Sequence, residues 1–96
     1  MEFQVNTDEV RRAARELRAI AADVRSLSSQ NVRSMQAGVR DSMEGETADA
    51  LSEMLSGLSS DISRISSGID AVQKALLDYA QRVEEADEKI QKLIKG

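Results

Sequence analysis

The 96-residue chain contains no cysteine and no histidine. It therefore cannot form disulfides, and it lacks thiol chemistry, imidazole catalysis and the usual zinc ligands. Serines are many, but no base is available to activate one. Acids that are neighbours in sequence, as at 84–85 and 87–88, point in different directions on a helix and suit solvent exposure rather than acid–base catalysis. We therefore expect a protein that is not an enzyme, with no cofactor and no metal site.

Proline and tryptophan are also absent, and Phe3 and Tyr79 are the only aromatic residues. A core without large rings must be aliphatic and elongated, and 31% charged residues without proline suit long exposed helices. The net charge of -4 argues against nucleic acid or an anionic membrane as a partner. No apolar run approaches the roughly 18 residues of a membrane span, so no stable membrane insertion is expected. The N-terminus lacks the basic and apolar regions of a secretory signal.

A first amphipathic helix is predicted over residues 8–40, after an extended segment over 1–7. Thr7 is a candidate N-cap, and Asp8 and Glu9 lie where the helix dipole favours negative charge. Apolar residues then recur at a spacing near 3.6 as far as Val39. This half of the chain is basic, whereas residues 41–96 are acidic, a contrast that fits either solvated surfaces or a contribution to pairing.

A second helix is predicted over residues 47–94, with a strict heptad pattern of apolar residues. The pattern continues through Val83 to Leu93. Before that point, the predicted helix–helix seam consists of Leu51, Leu55, Leu58, Ile62, Ile65, Ile69, Val72, Leu76 and Tyr79.

A turn is predicted over residues 41–46. Asp41, Ser42 and Gly45 are weak helix formers, and glycine at 45 can adopt a positive φ that Met43 or Glu44 could not adopt cheaply. The alternative is one continuous helix, but the apolar period changes across this segment. The expected fold class is all-α, an antiparallel two-helix hairpin.

Folding at Gly45 places residues whose numbers add up to about 87 opposite each other. The first helix is then too short to cover the C-terminal part of the second, so the stretch from Val83 to Ile94 should project as an apolar overhang. Four further apolar residues lie beside the seams, where a second hairpin would bury them: Ile20, Met54, Leu77 and Ile94. Gly57 and Gly68 are either an approach site for another helix or part of a solvated serine-rich surface. We expect pairing into an elongated four-helix bundle dimer.

The stretches "VNTDEVRRAARELRAIAADV" and "MEGETADAL" resemble the first helix and the turn of the WXG-hundred (ESAT-like) family of small proteins exported by type VII secretion systems. The resemblance covers nearly the full chain. It departs at Met43, which stands where the family has tryptophan, while Gly45 of the turn motif is in place. The departure leaves open a divergent branch, such as the small helical companions of LXG-type toxins.

The family's broader C-terminal export pattern is similar to "VEEADEKIQKLI", in which Val83, Asp87, Ile90 and Ile94 occupy the hydrophobic, acidic, hydrophobic and hydrophobic positions. The tyrosine form of the signal is a tyrosine followed four residues later by an acid. It is absent here, because Tyr79 is followed at that distance by Val83. A plain coiled coil with an acid beside its seam produces the same pattern. The resemblance nevertheless implies that these four residues bind a partner.

The resulting hypothesis is a dimeric helical hairpin, made in the cytoplasm and secreted without a Sec signal by a type VII system, either as substrate or as escort of an effector. The resemblance implies three partners: itself or a paralogous hairpin, an LXG-type effector, and the secretion ATPase through the C-terminal helix. One alternative is an intracellular coiled-coil adaptor that uses the same seam. Another is an effector that opens on host membranes, which the lack of a histidine to sense mild acid disfavours.

Overall fold

The computed structural model describes residues 5–95 of the chain. They form helix α1 (Thr7–Ser26), a π-helical segment (Leu27–Val32), helix α2 (Arg33–Ser42) and the 50-residue helix α3 (Glu46–Lys95). The chain reverses between α2 and α3, and α3 packs antiparallel against the preceding helices. The predicted all-α hairpin is confirmed. Its Cα atoms span 76 × 20 × 16 Å, and the long dimension matches a helix of the length of α3 at about 1.5 Å per residue.

Helix α1 is capped by Asn6 rather than by the predicted Thr7. The Asn6 side-chain oxygen accepts hydrogen bonds from the backbone N–H groups of Asp8 and Glu9, at 3.1 and 3.2 Å. Asparagine is as good an N-cap as any residue, and here it satisfies two of the otherwise unpaired amides. The Thr7 hydroxyl is therefore free to bond α3, where it donates to Glu84 over 3.0 Å.

The turn between α2 and α3 consists of Met43, Glu44 and Gly45. Met43 is extended, with φ -137° and ψ 150°, and its N–H donates to the Val39 carbonyl over 2.9 Å. Gly45 has φ 89°, the left-handed region in which a side chain is strained. Its carbonyl accepts the first hydrogen bond of α3, from the Asp49 N–H over 3.1 Å. Met43 thus ends α2, and Gly45 reverses the chain immediately before the first residue of α3.

The most deeply buried residues of the interface between the two arms are mainly small. Ala14, Ala21 and Ala80 are fully buried, and Ser66 is nearly so. Side chains of this size let helix axes approach closely. The register follows from two contacts, Ser66 with Ala21 and Ser28 with Ser59, in each of which the residue numbers add up to 87.

The π-helical segment adjusts which residues of the first arm face α3. Ala14, Leu17, Ala21, Val24 and Ser28 alternate steps of three and four residues, a pattern that would next bring residues 31, 35 and 38 into the interface. Instead Val32 is buried and residues 36 and 39 are half-buried, while residues 31, 35 and 38 are exposed. A π turn holds about one residue more than an α turn, so it moves the pattern forward by one position. The segment thus places Val32, Gln36 and Val39 against α3 in place of Asn31, Met35 and Gly38.

Candidate partner-binding face

One side of the hairpin carries the polar contacts between the arms. Arg11 forms a bidentate pair with Glu84, whose Oε2 accepts from Arg11 Nη1 over 2.7 Å. Arg25 pairs with Asp70, and Gln36 donates to Ser56 over 3.1 Å. The Arg11 guanidinium and the Thr7 hydroxyl hold the pKa of Glu84 at about 2, well below its ordinary value.

The geometry of helices assigns the apolar flanks to the other side. At about 100° per residue, Leu17, Ile20 and Leu27 lie on the opposite flank of α1 from Arg11 and Arg25. On α3, in the same way, the residues at 58, 65, 72 and 79 lie on the opposite flank from Asp70 and Glu84. Since the charged flanks of the two arms meet, the apolar flanks must share the opposite side.

We call this opposite side the apolar face. It comprises Ile20, Leu27 and Met35 of the first arm and Met54, Leu58, Ile65, Val72 and Tyr79 of α3. These side chains are all exposed, Ile65 at 56% and Met54 at 70%. Soluble proteins rarely leave so continuous an apolar surface open unless it binds something.

The structure divides the predicted seam between two surfaces. Four of its residues are buried or half-buried inside the hairpin, and four others are exposed on the apolar face. The inner set is Leu55, Ile62, Ile69 and Leu76, and the outer set is Leu58, Ile65, Val72 and Tyr79. Leu51 is half-buried at the turn end of the outer row, seven residues before Leu58. A hairpin offers α3 only one neighbouring helix, which covers one flank of a two-row seam. The sequence pattern missed Ala48, Ser66 and Ala80, which share the inner surface and are too small to register as apolar repeats.

The predicted export residues lie near the free end of α3. Val83 is half-buried, and the next residue, Glu84, is the last on α3 for which a polar contact with the first arm is described. The overhang therefore begins after Glu84, later than predicted, because Thr7 and Arg11 extend the contact of the first arm. Ile90 and Ile94 are exposed, at 53 and 79%, and Asp87 is exposed too.

The predicted turn residues occupy the opposite end of the molecule. Met43 is only partly covered, with 36% of its surface exposed, and Gly45 supplies the positive φ of the turn. The structure therefore separates the two predicted sites by nearly the whole length of the hairpin. Within residues 5–95, no helix has the length and apolar character that crossing a bilayer requires.

A family model described as "Proteins of 100 residues with WXG" (WXG100) matches residues 2–88. The chain belongs to the WXG100 family. Members of this family are small helical proteins that type VII systems secrete, and they typically pair with helical partners. The match spans the turn formed by Met43, Glu44 and Gly45. Neither the curated proteins nor the solved structures contain a match to this WXG100 chain.

Proposed function

We propose that this WXG100 protein is a dimeric substrate or escort of a type VII secretion system, and that the free end of α3 is the segment recognised during export. One observation carries the proposal: α3 continues through residues 85–95, beyond its described contacts with the first arm, and exposes Ile90, Leu93 and Ile94. Leu93 is 82% exposed. At about 1.5 Å per residue the overhang is roughly 16 Å long.

The overhang has the form of an amphipathic helical ligand. Ile90 and Ile94 are four residues apart and so share one face, with Asp87 beside them. Helices of this kind bind by placing their apolar face in a groove of the partner. The secretion ATPase is the partner that the family resemblance implies. An LXG-type effector is a second partner, which would contact the apolar face rather than the overhang.

The protein is proposed to act through binding rather than catalysis. The sequence has no histidine or cysteine, and Arg11 and Glu84, the groups with shifted pKa values, neutralise each other in a contact between the arms. Such a contact has a structural role. The large exposed side chains of the apolar face suit association.

Export can be tested in a Gram-positive host with a matching type VII system, with and without its membrane ATPase, by assaying the tagged chain in the medium. We expect ATPase-dependent appearance. The double variant Ile90→Ala and Ile94→Ala should remain helical, because neither residue contributes to the hairpin core. It should be retained in the cytosol, because the overhang loses its apolar face. Glu88→Ala with Gln91→Ala, exposed positions on the same overhang, is the matched control and should be exported normally.

Retention of the folded wild-type protein with all partner genes present would contradict the proposal and favour the intracellular adaptor. Equal export of both double variants would contradict the role of the overhang alone. The variant Asp87→Asn further distinguishes export from the adaptor function. Asp87 is exposed and has no described packing role. Its replacement should therefore reduce export if the overhang is a recognition segment, and should not affect an adaptor that binds through the seam.

A further inference from the structure

The first arm carries a row of arginines along the polar side of the hairpin. They recur at steps of seven residues, except for one step of eight between Arg25 and Arg33. That step contains the π-helical segment, whose extra residue moves the later half of the arm forward by one position. An uninterrupted α-helix would instead rotate Arg33 and Arg40 by about 100° away from Arg25. The π turn therefore keeps in line what we call the arginine row: Arg11, Arg18, Arg25, Arg33 and Arg40.

Helix α3 supplies an acid to two members of this row. Glu84 pairs with Arg11, and Asp70 pairs with Arg25. The two acids are two heptads apart on α3, as the two arginines are on α1, so the row and the facing flank of α3 share one antiparallel register. Within residues 5–95, no ion pair is described for the other three members of the row.

The end of the row nearest the turn faces serines instead of acids. One heptad beyond the Arg25 contact, the shared register places Ser63 opposite Arg33. In the first arm, the residues three and four positions from Arg33 are serine, glutamine and alanine, so neither arm offers it a carboxylate. Arg40 comes opposite Ser56, whose hydroxyl already accepts a hydrogen bond from Gln36. Arg33 and Arg40 are both exposed.

The serines on this flank of α3 line a groove of about 380 Å³, which we call the serine groove. Arg64 lies at its edge and no acid lines it. The Arg64 side chain is 81% exposed and makes only a loose pair of 3.8 Å with Asp61. Serine hydroxyls donate hydrogen bonds to carboxylates, and side chains of this size let another helix approach. The walls of the groove are Ser59, Ser60, Ser63 and Ser67.

The use of arginine indicates which kind of anion suits the row. All seven cationic residues of the first arm are arginines, whereas the lysines of the chain begin at Lys74. The planar guanidinium binds a carboxylate through two parallel hydrogen bonds, which an ammonium group cannot do. Arg11 binds Glu84 in this way. The hairpin thus already shows the row binding carboxylates that a helix presents.

We infer that Arg33, Arg40 and the serine groove bind a helix of another protein that carries acidic residues seven positions apart. Arg33 and Arg40 are one heptad apart, about 10.5 Å along α2, and acids seven positions apart on a helix have the same separation. The net charge of -4 disfavours a long anionic polymer, whereas a helix can place a few acids against the arginines alone. This site lies on the opposite side from the apolar face, so it stays open when that face is covered. The inference does not depend on the proposed export function.

An acid introduced at residue 63 tests the facing of the two arms. Ser63→Asp should give Arg33 the partner that Asp70 gives Arg25, and so raise the midpoint of urea unfolding. The gain should disappear when Ser63→Asp is combined with Arg33→Gln, because a double-mutant cycle isolates the contact between the two residues. The matched control is Ser60→Asp, which adds the same acid to the serine groove away from the facing flank and should show no coupling with Arg33→Gln.

A designed helix serves as the probe for the partner. We expect wild type at low ionic strength to bind an alanine-based helical peptide with glutamate at every seventh position at least about fivefold more tightly than one with the same glutamates at every fifth position. Fluorescence anisotropy of the labelled peptides measures the affinities. The double variant Arg33→Gln with Arg40→Gln should lose this preference. Arg12→Gln with Arg15→Gln, the same change of charge about 27 Å or more from Arg33 along the first arm, should keep it.

The two tests are linked, because an acid within the hairpin competes with an acid from outside. Ser63→Asp should therefore weaken binding of the heptad peptide, and circular dichroism checks that the helices persist in every variant. Equal affinity for the two peptides, or tighter binding of duplex DNA or anionic lipid vesicles than of the heptad peptide, would overturn the inference. Absence of coupling between Ser63→Asp and Arg33→Gln would overturn the facing on which it rests. ATPase-dependent export tests the proposed function separately and is unaffected by either result.

Discussion

The side-chain hydroxyl of Ser66 on α3 donates a hydrogen bond to the backbone carbonyl of Ala21 on α1 over 3.3 Å. Both residues are buried, and the contact joins the two arms near the middle of the hairpin. A side chain as short as serine reaches the opposite backbone only where the helices are in close contact. The size of residue 66 therefore decides whether the arms can approach.

Ser66→Leu should destabilise the hairpin by about 1–3 kcal/mol, because an overpacked interface forces the arms apart. Ser66→Ala keeps the size and loses one neutral hydrogen bond, so we expect a loss of about 1 kcal/mol or less. Urea unfolding of the two variants measures the difference. Equal stability of the leucine and alanine variants would show that the arms are not close at this level.

Replacing the turn glycine should destabilise the protein. Gly45→Ala places a side chain at φ 89°, which should lower the free energy of unfolding by about 1–3 kcal/mol. Gly38→Ala is the control, since that glycine lies in α2 with open space around it and should gain about 0.5–1 kcal/mol. Thermal unfolding followed by circular dichroism should move the two midpoints in opposite directions.

The Arg11–Glu84 contact should make stability depend on acid. The pKa of Glu84 is about 2, below its ordinary value of 4.5, so the folded state favours the charged carboxylate. The charged Glu84 therefore contributes fully to the stability of the hairpin above about pH 4.5, and this contribution is lost as the pH falls toward 2. Unfolding curves of wild type and Glu84→Gln should differ at pH 7 and converge across that range. Glu85→Gln, whose hydrogen bond to Gln81 stays within α3, is the control for removing one acid. A difference that persists unchanged to pH 2 would contradict the assignment.

The π-helical segment should tolerate the loss of one residue. Deleting exposed Ser29 converts the segment into ordinary α-helix and leaves Val32 and Val39 on the heptad spacing, so the hairpin should keep its interface. Deleting exposed Asp23 should destabilise the hairpin much more, because Val24 and Ser28 then rotate by about 100° out of the interface whether or not the π turn is retained. Circular dichroism and urea unfolding compare the two deletions. Similar losses in both would show that the π turn is not the adjustment described above.

The sequence predicted the hairpin because its signals were local. Gly45 among weak helix formers predicted the reversal, and the continuous period of the second half predicted one long helix. The antiparallel register, in which opposing residue numbers add up to 87, then followed from the position of the turn. The Ser66–Ala21 contact confirms it. A family resemblance drawn from the same residues agrees with the match to WXG100.

The division of the seam could not be predicted, because periodicity shows that Leu58 and Ile62 are both apolar but not which of them meets the first arm. That choice depends on Ala14, Ala21 and Ala80, whose small side chains carry little periodic signal. The π turn was visible only as a step of five between Leu27 and Val32, easily absorbed into an average period of 3.6. Similarly, the late start of the overhang depends on Thr7 and Arg11 reaching Glu84, a contact across more than seventy residues.

The alanine-rich interface has a calorimetric consequence. The heat capacity change of unfolding is set mainly by the apolar area that becomes exposed, and a single hairpin keeps little of that area from water. The folded chain should therefore show a small heat capacity increment, a shallow stability curve and a broad melt for its length. Covering the exposed leucines and isoleucines in an assembly would raise the increment and sharpen the transition. The cooperativity of folding in this molecule therefore depends largely on whether the exposed outer residues of α3 are covered.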